Sequence, residues 1–172
     1  MSKPKLANPA LSISDADLTS ALAQIGAEID HQPLRSSALA RIMRETFHGS
    51  DAGGAWDWRM AYDLMQAAAV QVLLRGADAA GDIAAAKLLA SRLLTETRRS
   101  EQQIRLQQFS TPLAFATMAV RAAAIRKAET VLEPSAGTGA LAVFAARAGA
   151  KLLLTRSTPF ARASCARSSA VR

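Results

Sequence analysis

Residues 129–139 read ETVLEPSAGTG. Val131 and Leu132 make a short apolar run that meets an acid, Glu133, and then a turn of small residues from Ser135 to Gly139. Behind the turn, residues 140–150 read ALAVFAARAGA, a run of helix formers closed by Gly149, and KLLL at 151–154 opens a second strand-like segment. Strand, glycine turn, helix, strand is the order of a βαβ unit, the seed of a parallel sheet. A turn of this kind sets backbone N–H groups at a helix N-terminus, and Gly137 and Gly139 remove side chains where a ligand would approach the main chain. Glu133 sits at the carboxyl end of the strand, where open α/β sheets take their ligands. A carboxylate there suits a cationic or polyhydroxylated small molecule.

The glycines alone are a weak signal. No Gly-Lys-Ser/Thr follows them, so the phosphate loop of nucleotide triphosphatases is excluded. The third glycine of the dinucleotide fingerprint is missing from its place.

Working upstream, Phe109-Ser110-Thr111-Pro112 forms a loop that starts a helix: Ser110 or Thr111 can cap, and Pro112 suits the first turn. LAFATMAVRAAAI (113–125) is then a short apolar helix. Before position 109 the patterning is helical throughout. Ser14 is an N-cap for a helix over about 15–29, with Leu18, Leu22, Ile25 and Ile29 as its stripe. A second helix is expected over 36–47, a third over 57–75 after the loop containing Gly49, Gly53 and Gly54, and a fourth over 82–107. Trp56 and Trp58, at i and i+2, are not expected to share a helix face, and one is expected in the core. His31 and His48 have no partners at ligand spacing, so no metal site is read, and Arg98-Arg99 is expected on a solvated helix face.

The charge is +7, but it is unevenly spread. Glu133 is the last acid; residues 155–172 carry Arg156, Arg162, Arg167 and Arg172 and contribute +4, which leaves +3 for residues 1–154. Total charge is therefore a poor argument for nucleic-acid binding. Cys165 is the single cysteine, so no internal disulfide can form. The first twelve residues lack the apolar core of a secretory leader and no window reads as a membrane span, so a cytoplasmic protein with no membrane partner is expected.

Glu133-Pro134-Ser135-Ala136-Gly137-Thr138-Gly139 resembles motif I of S-adenosylmethionine-dependent DNA adenine methyltransferases, and Gln108-Phe109-Ser110-Thr111-Pro112, about twenty residues upstream, resembles the F-x-T-P element that precedes that motif. The two elements in this order and spacing are far more specific than either alone. Together with the region from SDAGGAWDWRMAYD onward, roughly residues 45–154, they resemble the N-terminal part of bacterial strawberry notch-like proteins, in which a methyltransferase-like segment precedes a helicase-type ATPase region.

The resemblance implies an α/β, helix-rich fold: a helical module over 1–108, then the first βαβ unit of a Rossmann-like methyltransferase fold over 109–154, left incomplete. It implies S-adenosylmethionine as the parent protein's cofactor, DNA as its partner, and Phe109, Thr111, Pro112, Glu133, Pro134, Ser135, Gly137 and Gly139 as the cofactor-binding positions. It assigns no catalytic residue, because the N/D-P-P-Y/F/W loop that holds a flipped base is absent from this chain. In the family the second strand ends in an acid that binds the ribose; here Arg156 stands in that region. A reading frame shifted by one nucleotide can place apolar residues at 157, 160, 164, 165, 168 and 169 where the serines are coded TCN, a helical stripe, so residues 155–172 are expected to be an out-of-frame tail. The expectation is an inactive fragment of a DNA-processing protein. The alternative is a helical DNA-binding or protein-interaction adaptor that works without cofactor.

Overall fold

The computed structural model describes residues 13–75, 83–97 and 110–154. These form a helix-rich α/β structure with a two-stranded parallel sheet. The boundary expected at 108, Phe109, Arg98-Arg99, Cys165 and the tail over 155–172 lie outside the described residues.

Helix α1, Asp15–His31, starts where its sequence dictates. The Ser14 hydroxyl accepts the Asp17 N–H at 3.1 Å and donates to the Asp17 carboxylate at 2.7 Å, a capping box with Asp15 and Asp17 at the positive end of the helix dipole. Leu18, Leu22, Ile25 and Ile29, the expected stripe, are all buried. Helix α2, Ser36–Thr46, buries Leu39, Ile42 and Met43 against it, and Phe47 forms its C-cap.

Helix α3, Trp58–Arg75, is the central element. Asp57 caps it, accepting the Met60 N–H at 2.7 Å. Its buried residues, from Ala61 to Val70, lie on nearly all sides, as expected of a helix enclosed by α1, α2 and the next helix. Helix α4, Ile83–Arg92, is shorter than its sequence predicts. The helix expected to run from 82 to 107 stops at Arg92. The cause is tertiary: the Arg92 guanidinium donates to the carbonyls of Ile29, at 3.1 Å, and Asp30, and its own carbonyl accepts the Leu34 N–H at 2.9 Å. Those bonds satisfy the C-terminal end of α1; the chain bends at Leu93, and Leu93 and Leu94 pack against the core.

Helix α5, Leu113–Ala123, leads to strand β1, Thr130–Glu133; helix α6, Ala142–Arg147, leads to strand β2, Lys151–Leu154. The strands pair in parallel, with Val131 opposite Leu152 and Leu132 opposite Leu153. Ala142, Ala145 and Ala146 of α6 cover one face of the sheet with Val131, Leu152 and Leu154. On the other side, Val143 and Phe144 reach into the same apolar cluster as α1, α3 and α5, so a continuous core joins the helices to the βαβ unit. No helix among the described residues is long and apolar enough to cross a membrane.

Candidate functional site

The sequence-predicted site centres on the turn between β1 and α6. Gly137 has φ +50° and Gly139 φ +89°, the left-handed region in which a side chain is strained. This is one physical reason for small residues here. The other is packing: Ala136, Thr138, Gly139 and Ala140 are buried, whereas Gly137 is exposed.

The main-chain donors expected to be bare are in part already used. Glu133 folds back over the turn, and its Oε1 accepts the Ser135 N–H at 3.1 Å. The Gly139 N–H donates to the Ala136 carbonyl at 2.7 Å, and the Gly139 carbonyl accepts the Val143 N–H at 2.9 Å. Helix α6 begins at Ala142, beyond the glycines, with Leu141 at its N-cap and no side-chain cap. The helix expected to start at residue 140 is therefore shorter. The turn closes on its own backbone first: Gly137, with its positive φ, is a central residue of the turn whose end, the Gly139 N–H, bonds back to the Ala136 carbonyl.

Glu133 is half-buried at the carboxyl end of β1, as expected of a strand-end acid, while Pro134 and Ser135 are exposed. Thr111 and Pro112 are also exposed, at the start of α5. Neither Ser110 nor Thr111 caps this helix. Pro112 itself holds the N-cap with φ −57° and ψ 135°, and its carbonyl accepts the Ala116 N–H at 3.0 Å. Helix α5 packs on α6, so the Thr-Pro element and the glycine turn precede two helices in mutual contact. Phe109, the first residue of that element, lies outside the described residues.

Trp56 lies in the core, as expected of one tryptophan, but the contact between the two rings was not expected. They meet edge to face, with ring centroids 5.6 Å apart at 70°, and Trp58 is followed by Tyr62 at 5.7 Å. The i, i+2 argument does not apply, because Trp56 precedes α3 and only Trp58 lies on it. Trp56 is buried, and its Nε1–H donates to the Gly49 carbonyl at 3.0 Å, closing the glycine loop. The indole N–H of Trp58 donates to Asp51 at 3.1 Å.

Asp63 is a residue that sequence reasoning missed. Burial raises its carboxyl to about pKa 6, against the pull of Arg59, with Glu96 and Asp57 adding to the rise. The signal was present: in MAYDLMQAAAV, residues 60–70, Asp63 and Gln66 are polar side chains at i, i+3 on an otherwise apolar helix. An open depression of about 400 Å³ lies between the end of α1 and the start of α2, lined by Glu28, Gln32, Arg35 and Arg41 among others. Arg41 is engaged there in pairs with Glu28 at 3.3 Å and with Glu45 at 3.1 Å.

No family model, curated protein or solved structure matches this chain.

Proposed function

We propose that residues 109–154 are the opening of an S-adenosylmethionine-binding, Rossmann-like fold of the DNA adenine methyltransferase kind, joined to a helical module, and that the chain is a catalytically inactive part of a strawberry notch-like DNA-processing protein. The observation that carries this reading is the juxtaposition at the carboxyl end of β1: a half-buried Glu133, an exposed Gly137 in the left-handed region, and a parallel second strand after a short helix. Parallel sheets are ordinarily covered on both faces. Here α6 covers one, while Leu132 and Leu153 on the other are 63% and 55% exposed, which supports a sheet that is one layer short among the described residues.

In this reading Gly137 lets the methionine part of the cofactor lie against the main chain, and Glu133 accepts polar contacts while holding the Ser135 N–H. DNA is the parent's partner, in a cytoplasmic setting. Methyl transfer needs a base-holding loop that this chain does not carry, so binding without turnover is the expected behaviour.

Titration with S-adenosylmethionine tests the proposal. A ligand that binds only the native state stabilises it by about 2.7 kcal/mol at a hundred times Kd, which raises Tm. A rise that is lost in Gly137→Val supports the site; no rise at millimolar cofactor rejects retained binding. The adaptor reading is favoured by a different observation: α1, α2 and α3 bury their apolar stripes against one another. Retardation of DNA at low salt with no cofactor-dependent Tm change would favour that reading instead.

A further inference from the structure

A glycine-containing turn at the carboxyl end of a parallel strand is a common seat for phosphate, which is held by main-chain N–H groups and the N-terminus of the following helix. In this turn two such donors are already engaged. The Ser135 N–H donates to Glu133 Oε1 at 3.1 Å, and the Gly139 N–H donates to the Ala136 carbonyl at 2.7 Å. Helix α6 starts only at Ala142 and has 6 residues, so its dipole brings the turn little positive charge. Glu133 is the single charged residue over 130–146. The flanking cations are placed elsewhere. Lys127 lies beside Gly149, before the amino ends of both strands, and Lys151 opens β2 at its amino end. The Arg147 guanidinium donates to the Leu74 carbonyl on α3.

We infer that Glu133 is a specificity-determining residue that makes this turn reject phosphate, so that the site takes a neutral or cationic nucleoside and excludes the corresponding nucleotide. The inference rests on the reading of this turn as an S-adenosylmethionine site. A phosphate oxygen seeking the Ser135 N–H must displace the Glu133 carboxylate and then lie beside the displaced charge. A ribose hydroxyl or an ammonium group meets the opposite situation. It donates to the carboxylate while the Ser135 bond stays in place, because an ionised carboxyl group accepts several hydrogen bonds.

Adenosine and ADP differ by their phosphates alone, so titrating the full chain with each, and following the amide chemical shifts of Ser135, Gly137 and Gly139, tests the inference. Adenosine is expected to bind at least about tenfold more tightly than ADP, the size of one like-charge contact in a partly solvated site. Glu133→Gln keeps an acceptor for the Ser135 N–H but removes the charge, and it should close most of that gap. ADP binding the unaltered chain as tightly as adenosine, or a gap that survives in the variant, would overturn the inference. If no nucleoside binds at all, the S-adenosylmethionine reading fails, and pyrophosphate decides the role of Glu133. Pyrophosphate binding at these amides in Glu133→Gln but not in the unaltered chain supports it; binding in both, or in neither, rejects it. Should the variant fail to fold, salt replaces it: a gap caused by like charge shrinks as ionic strength rises from about 20 mM to about 500 mM, and a gap indifferent to salt rejects the inference.

Discussion

Leu132 and Leu153 stand opposite each other across the parallel pair, and both are more than half exposed. Their strand neighbour Leu152, on the opposite face, is buried beneath α6. One sheet thus has a dry face and a wet face although its sequence is apolar on both.

That contrast predicts unequal mutational costs. Replacing Leu132 and Leu153 together by Thr should change stability by no more than about 0.5 kcal/mol, the usual size for exposed positions. Leu152→Ala should cost about 2–4 kcal/mol through lost burial and a cavity. Urea melts at equal m-value measure both. A loss above about 2 kcal/mol for the Thr pair would mean that the outer face is covered in solution.

Gly137 is the clean test of the turn's backbone. A Cβ there would meet nothing closer than the Ser135 carbonyl at 3.8 Å, so Gly137→Ala is penalised by φ +50° and not by crowding. A cost of about 1–2 kcal/mol is expected, and Asn at the same position should recover part of it. If Ala costs nothing, the left-handed conformation is wrong.

Asp63→Asn should stabilise the protein at pH 7. The folded carboxyl is raised from 3.8 to about 6, so its contribution to stability is unfavourable at neutral pH and disappears as pH falls toward 4. The gain at pH 7 is at most about 3 kcal/mol, because a tenfold change in proton affinity is worth about 1.4 kcal/mol. Paired thermal melts at pH 7.5 and pH 4.5 give the sign. A variant that is less stable at pH 7.5 would contradict the burial assigned to this carboxyl.

The loop before α3 has its own weak point. A Cβ at Gly49 would lie 2.6 Å from the Ala55 Cβ, too close to tolerate, while the Gly49 carbonyl accepts the Trp56 indole N–H. Gly49→Ala should cost about 1–3 kcal/mol by overpacking, and Trp56→Phe about 1–2 kcal/mol by orphaning that carbonyl. A double-mutant cycle should show the two effects to be non-additive.

How far these features could be read in advance depends on how local their causes are. The α1 cap and stripe were legible because Ser14, Asp17 and the leucines at helical spacing act within a few turns. The parallel pair around the glycine turn was legible for the same reason, since the order of its parts admits few arrangements. The end of α4 was not legible. Residues 83–107 favour helix throughout, and what stops α4 is Arg92 reaching carbonyls of Ile29 and Asp30 on another helix. The fate of the turn's donors was hidden likewise, because it depends on the direction the Glu133 side chain takes. Asp63 was readable as an oddity on an apolar helix, but how deeply it is buried depends on the elements that pack around α3.

The chain has two tryptophans and one tyrosine, and all three belong to the Trp56–Trp58–Tyr62 ladder. Its near-ultraviolet absorption and intrinsic emission therefore originate almost wholly in one corner, where the rings are near enough to exchange excitation. An optical unfolding curve records the entrance to α3. A small molecule settling beside Glu133 would leave that glow unaltered, and its arrival must be followed by calorimetry or by labels placed on the sheet.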